Sequence, residues 1–92
     1  MNHVSLRSTG GYLPSRILTN EELSQRVDTS HEWIVERTGI CERRIAQDHE
    51  SNSYMAAQAA SECLQRADLD PQCIDMIIVA TCTTDKFFPG PA

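Results

Sequence analysis

The chain of 92 residues lacks long apolar runs, an excess of positive charge and closely spaced cysteine pairs. Its longest apolar stretch, residues 76–80, is far too short to cross a bilayer, so no membrane partner is expected. The net charge of −5 argues against a broad nucleic-acid-binding surface. The polar N-terminus has no apolar core of the kind that a secretory signal needs. We therefore expect a cytoplasmic protein of the ordinary globular class.

The four cysteines are the candidates for cross-links or a metal site. They have neither Cys-x-x-Cys nor zinc-finger spacing, so no metal site is expected; they are Cys41, Cys63, Cys73 and Cys82. Their number would allow two disulfides, but a reducing cytoplasm favours free thiols. Cys41 stands near two arginines, whose charge can activate a thiol. An isolated cysteine without a nearby base is more often inert, and we expect that here.

A short helix with a marked start and stop is predicted before Gly39, which suits a left-handed C-terminal position. Thr29 and Glu32 form a capping-box pattern at the start. Trp33 and Arg37 are four residues apart and share a face, with Thr29 one turn upstream. An indole, a guanidinium and a hydroxyl on one face could hold a purine ring and a phosphate. The alternative is that Trp33 anchors a core or interface and Arg37 covers its ring.

His31 and Glu32 lie beside the tryptophan and allow two interpretations. A histidine next to a carboxylate can act as a general base. A solvated polar face is favoured, because no residue nearby in the sequence looks like a nucleophile.

The remaining segments alternate between strand and helix patterns. Residues 3–9 alternate in polarity, which is typical of a half-buried strand, and residues 40–45 form a second short candidate strand. Helices are predicted over 20–27, opened by a Thr19–Glu22 capping box, and over 53–67, where apolar residues recur at three- and four-residue steps. Residues 74–82 are rich in branched side chains without alternation, as in strands buried on both faces. A strand, a long amphipathic helix and a buried strand make an α/β layered unit.

An ordered set of short motifs resembles the start of a β-ketoacyl-acyl carrier protein synthase III. No single motif is specific, but their order and spacing cover nearly the whole chain. The motifs are Gly-Tyr-Leu-Pro at 11–14, Thr19-Asn20, Asp28-Thr29-Ser30, Glu32-Trp33-Ile34, Arg37-Thr38-Gly39-Ile40, Glu42-Arg43, Val79-Ala80-Thr81 and Phe88-Pro89.

The resemblance implies an α/β fold, namely part of the first half of a thiolase-like layered α/β/α sandwich. Residues 1–92 would be an incomplete N-terminal portion, with a two-helix excursion after the first strand. Alone, such a portion would expose residues 76–80 and the alanine-rich face of the helix over 53–67.

The resemblance also implies binding residues. By position, Trp33 would stack on the adenine of coenzyme A, and Thr29 and Arg37 would contact the same nucleotide. Phe88 would reach across a dimer interface towards the partner's acyl pocket. The family's catalytic cysteine, histidine and asparagine align beyond Ala92, and Cys82 matches an ordinary threonine position. We therefore expect no catalytic residue in this chain and no activity from it alone.

The activity implied for the complete enzyme is a decarboxylative Claisen condensation that starts fatty acid synthesis. An acyl-CoA primer, with acetyl-CoA expected, would react with malonyl-acyl carrier protein in a homodimer. The coenzyme A thioester would be a substrate, and no cofactor is expected. Two alternatives stay open at this point. One is a related condensing enzyme that makes quinolone or polyketide starters, and the other is a non-catalytic interaction module.

Overall fold

A computed structural model describes residues 3–86 of the chain. Two strands, three α-helices and one 3-10 turn follow each other along the sequence. They are β1 (Arg16–Thr19), α1 (Asn20–Ser24), α2 (His31–Thr38), β2 (Glu42–Ile45), α3 (Asn52–Ala67) and the turn Pro71–Cys73. These elements fall into two compact units. The hairpin unit is Leu13–His49, and the α3 unit comprises Met1–Tyr12 and Glu50–Ala92.

The hairpin unit is built on an antiparallel ladder. β1 pairs with β2 so that Arg16 lies opposite Ile45 and Thr19 lies opposite Glu42. Leu18 on β1 and Ile34 on α2 are buried apolar side chains of the unit, and Pro14 before β1 is buried as well. The strand predicted over 40–45 is confirmed as β2, whereas β1 occupies a stretch that the sequence patterns left irregular. A two-stranded ladder is marginal alone, so the helices between the strands must stabilise it.

α1 begins as predicted but ends early. The Thr19 hydroxyl accepts a hydrogen bond from the Glu22 amide at 3.2 Å, which confirms the cap. The Glu22 carboxylate instead binds Arg16, with nitrogen and oxygen 3.2 Å apart. The helix stops at Ser24, whose hydroxyl donates to the carbonyl of Glu21 at 2.7 Å. Such a local side-chain bond competes with helix continuation, so the prediction of a helix to residue 27 is wrong.

The start of α2 differs from the prediction by one residue. Ser30 is the N-cap, and its hydroxyl accepts from the Trp33 amide at 3.1 Å. The predicted Thr29–Glu32 capping box is therefore wrong. The end of the helix is confirmed, since Gly39 has φ = 73° and its amide donates to the carbonyl of Val35 at 2.8 Å. A glycine adopts this left-handed conformation without steric cost.

The α3 unit has one long helix, and the predicted helix over 53–67 is confirmed as Asn52–Ala67. Ser51 caps it and accepts from the Tyr54 amide at 3.2 Å. An ion pair between Glu62 and Arg66, 2.5 Å apart, spans one turn near its end. None of its residues is buried, so its apolar face stays partly accessible to solvent.

The strands predicted over 3–9 and 74–82 are not formed. Among residues 3–86 the β1–β2 pair is the only ladder, and a strand without a hydrogen-bonded neighbour has nothing to hold it. The apolar side chains of both segments are exposed; they include Val4, Leu6, Met76, Ile77 and Ile78. The expected exposure of residues 76–80 and of the helix face is thus confirmed.

One close contact positions the N-terminal segment on α3. A Cβ atom at Gly10 would lie 2.3 Å from the carbonyl oxygen of Ala59 and 2.7 Å from the amide nitrogen of Cys63. Ser8 donates to the carbonyl of Cys63 at 2.6 Å. Only a glycine permits this approach, because real Cβ contacts are never so short. Residues 8–10 are therefore held against the middle of the helix.

Candidate functional site

Trp33 is on the exposed side of α2. It keeps 53% of its surface in solvent, while Ile34, the next residue, is buried. The indole is therefore not a core anchor within the hairpin unit. Large aromatic side chains left exposed on a small unit are candidates for ligand or partner contacts.

Arg37 lies over the Trp33 ring. Its guanidinium carbon is 5.2 Å from the ring centroid, within the range of a cation–π contact. Arg37 forms no ion pair among residues 3–86. The proposed covering of the indole by the arginine is thus seen, but it leaves the guanidinium donors without a carboxylate partner in the described chain.

A cavity of about 310 Å³ opens beside the indole. It is lined by Asp28, Thr29, Ser30 and Trp33. The hydroxyl oxygen of Thr29 has almost no contact with solvent and no hydrogen-bond partner among the described residues. Because Ser30 caps α2, the hydroxyl of Thr29 is not used by the helix. A buried hydroxyl without a partner is costly, and a ligand that supplies a polar atom would relieve that cost.

The structure brings together the three binding residues that the sequence predicted. Thr29 and Trp33 line one cavity, and Arg37 contacts the indole without lining that cavity. A flat heteroaromatic ring on the indole, with an anion near the guanidinium, suits this geometry. Phe88 lies outside the described residues.

His31 does not pair with its neighbour Glu32. Its Nδ1 atom lies 3.1 Å from the side-chain nitrogen of Asn20 and 3.6 Å from a carboxylate oxygen of Glu21. Asn20, at the start of α1, is fully buried and also binds Arg43 and the carbonyl of Ile40. The sequence patterns gave no indication of this network, because its members come from three separate elements.

The α3 unit contains a hydrogen bond between the half-buried Tyr12 and the buried Glu50. The Tyr12 hydroxyl donates to the Glu50 carboxylate, and the rings of Tyr12 and Tyr54 meet edge to face with centroids 5.9 Å apart. The hydrogen bond to Glu50 and burial raise the pKa of Tyr12 to about 12. Because the hydroxyl and the carboxylate satisfy each other, we interpret this hydrogen bond as a structural contact.

A groove of about 560 Å³ also lies within the α3 unit. It is lined by alanines of α3, by Leu64 and by residues 77–80, and no charged side chain enters it. Pro71 and the hydroxyl-bearing Ser53 and Ser61 also line it. The groove therefore provides mainly apolar packing surface.

The described residues offer few other chemical groups. Residues 3–86 contain no cluster of histidine, cysteine or acidic side chains suited to a metal ion. No disulfide links the four cysteines, all of which lie among the described residues. Within the same range no helix has the length and apolarity to cross a membrane.

Comparison with known proteins shows which proteins the chain is similar to. No family model matches it. It is 51% identical, over 83 residues, to a β-ketoacyl-[acyl-carrier-protein] synthase III from a Bradyrhizobium species, and the match covers 90% of this chain and 26% of the relative. The chain thus spans about a quarter of the length of the curated relatives it matches.

Solved structures give the same result. The crystal structure of 3-oxoacyl-[acyl-carrier-protein] synthase III from Aquifex aeolicus matches with a TM-score of 0.89 and 55% identity over 94% of this chain and 28% of that one. The priming β-ketosynthase of the R1128 polyketide pathway matches with a TM-score of 0.71 and 40% identity over 74% of this chain and 20% of that one. The predicted thiolase-like α/β fold is confirmed. By sequence and by fold, the chain is related to the β-ketoacyl-acyl carrier protein synthases III, of which it represents about a quarter.

Proposed function

We propose that the hairpin unit contributes coenzyme A contacts to a condensing enzyme. Trp33 stacks on the adenine, Arg37 pairs with a phosphate, and the Thr29 hydroxyl hydrogen-bonds the nucleotide. The observation that carries the proposal is the exposed indole, which has a guanidinium on its ring and a cavity with an unpartnered hydroxyl beside it. The Thr29 hydroxyl has no partner among the described residues, Arg37 has no carboxylate partner there, and about half of the Trp33 surface is exposed.

The reaction we propose for the complete enzyme is the one that the family resemblance implies, and the names of the relatives support it. An acyl-CoA primer, with acetyl-CoA first, condenses with malonyl-acyl carrier protein as carbon dioxide leaves. The similarity to these relatives supports this assignment. The resemblance implies no catalytic residue among residues 3–86. In this proposal coenzyme A is the carrier of a substrate, no cofactor takes part, and the enzyme works as a cytoplasmic homodimer.

A second candidate function is priming of a polyketide. It is favoured by the similarity to the priming β-ketosynthase of the R1128 pathway. Both functions start from an acyl-CoA thioester, so the contacts proposed for the hairpin unit are the same. The two are distinguished by the carrier protein and the primer that the complete gene product uses.

The experiment that tests the site is substitution of the single tryptophan of the chain. In the complete gene product, we expect Trp33→Ala to raise the apparent KM for the acyl-CoA primer roughly 5- to 150-fold, since loss of aromatic stacking on a base costs about 1–3 kcal/mol. The KM for malonyl-acyl carrier protein should stay the same. Trp33→Phe is the matched control, because it keeps an aromatic face and should recover most of the loss. An unchanged primer KM in Trp33→Ala refutes the proposed site.

A further inference from the structure

Asn20 connects both ends of α2 to the rest of the hairpin unit. Its side chain has no solvent-exposed surface, although it is strongly polar. The amide nitrogen donates to the carbonyl of Ile40, just after the helix, at 2.7 Å and lies 3.1 Å from Nδ1 of His31, the first helical residue. The backbone amide of Asn20 donates to the carbonyl of Cys41 at 3.1 Å. One buried residue therefore holds the start of α2 and the chain that leaves it.

The neighbours of Asn20 determine which way its amide points. Arg43 can only donate, so the atom it meets at 2.9 Å must be the side-chain oxygen of Asn20. The carbonyl of Ile40 can only accept, so it must face the amide nitrogen. Turning the amide over would lose both bonds at once in a fully buried place. Its orientation is thus set by chemistry at two independent points.

The orientation of the Asn20 amide in turn decides which ring nitrogen of His31 carries the proton. The amide nitrogen has two hydrogens, and the one not used by Ile40 points at Nδ1 of His31. A proton on Nδ1 would face this donor, so Nδ1 must carry the lone pair and Nε2 the proton. The competing carboxylate of Glu21 is 3.6 Å away, too far for a hydrogen bond.

We propose that Asn20 is a positioning residue for the coenzyme A site. It holds His31 as the Nε2–H tautomer and thereby fixes the first turn of α2, where Ser30 caps the helix and Trp33 begins the binding face. The inference rests on the proposed function and adds to it a residue that contacts no ligand. Its effect reaches the ligand through the placement of Thr29 and Trp33.

The tautomer is tested without any ligand. Nitrogen-15 NMR of the imidazole rings in the complete gene product should show an unprotonated Nδ1 and a protonated Nε2 for His31 at neutral pH. The signal is assigned by its loss in His31→Asn. A proton found on Nδ1 overturns the inference, whatever the protein binds.

The link to the site is tested by calorimetric titration with free coenzyme A. His31→Leu removes the acceptor, and we expect about tenfold weaker binding, equivalent to about 1.4 kcal/mol. His31→Asn places an amide oxygen close to the former Nδ1 position, so it should accept from Asn20 and keep the affinity within about threefold. Asn20→Asp keeps the acceptor for Arg43 but loses both donors, and it should weaken binding like His31→Leu.

The outcomes separate this inference from the proposed site. Trp33→Ala is titrated in parallel. If Trp33→Ala weakens binding and His31→Leu does not, Asn20 and His31 play no positioning role. If His31→Leu and His31→Asn weaken binding equally, the role of the Nδ1 acceptor is refuted. If Trp33→Ala binds coenzyme A as tightly as the parent, the proposed site fails, and the positioning role fails with it.

Discussion

The two units of the chain differ in how far they bury their apolar side chains. The hairpin unit pairs its strands, buries Leu18 and Ile34, and satisfies a buried asparagine. The α3 unit has a longer helix, yet that helix buries none of its residues, and Ile78 keeps 85% of its surface exposed. The difference shows that a long, well-capped helix does not make a core. A core needs surfaces on both sides, and among residues 3–86 only the hairpin unit has both.

The largest expected effect tests this difference in the 92-residue chain itself. Leu18→Ala removes a side chain that is only 6% exposed, and we expect a loss of about 2–3 kcal/mol in the free energy of unfolding. Ile78→Ala should change stability by less than about 0.5 kcal/mol, because Ile78 is exposed. Urea unfolding followed by circular dichroism measures both. Equal losses would mean that residues 76–80 are covered in solution and that the comparison is wrong.

A second prediction concerns the tightest contact inside the α3 unit. Gly10→Ala would place a methyl group within 2.3 Å of the Ala59 carbonyl oxygen, so the segment must move off the helix. We expect a loss of about 1–3 kcal/mol. Gly11→Ala is the matched control, because a Cβ there meets nothing within 4 Å. Thermal unfolding of the two variants compares them directly, and equal midpoints would show that residues 8–10 do not rest on α3.

The smallest expected effect lies at the start of α3. The Asp85 carboxylate accepts hydrogen bonds from the Ser53 hydroxyl and from the amides of Asn52 and Ser53, and these lower its pKa. Because the native pKa is depressed, this contribution to stability is present above about pH 3.9 and is lost as the pH falls through the native value. Asp85→Asn should therefore lower the melting temperature by a few degrees at neutral pH. On acidification, the melting temperature of this variant should fall less than that of the parent.

The control for this pH effect is Asp75→Asn. Asp75 is exposed and has no hydrogen bond or ion pair among residues 3–86. The melting temperature of Asp75→Asn should therefore match that of the parent at every pH. Melting curves from about pH 3 to pH 7 make the comparison. If Asp85→Asn shows the same acid dependence as the parent, the carboxylate does not stabilise the helix start.

Local signals in the sequence predicted local structure well. Thr19 caps α1 and Gly39 ends α2, because each effect depends on residues within one helical turn. The cap of α2 was placed on Thr29 rather than Ser30, since two neighbouring hydroxyls offer similar patterns and only the fold selects one. The shared face of Trp33 and Arg37 followed from their spacing alone.

Contacts between residues far apart in the chain were harder to predict from the sequence. β1 is only four residues long and begins two residues after Pro14, so the sequence has no periodic pattern that predicts it. Asn20 binds residues 11, 20 and 23 positions away, and no rule of spacing links such partners. The strands predicted over 3–9 and 74–82 carry the right composition, but a ladder needs a neighbour that composition cannot provide. The family resemblance supplied the overall fold where these patterns did not.

The stacking of Arg37 on Trp33 also affects the thermodynamics of recognition. Ordering a long side chain on binding usually costs about 0.5–1.5 kcal/mol in lost rotamer freedom. Here the guanidinium already rests 5.2 Å from the indole centroid, so two of the proposed binding groups restrain each other before any ligand arrives. If the proposed site binds a nucleotide, stacking on the indole costs the protein less side-chain entropy, and the proposed complex is expected to dissociate more slowly.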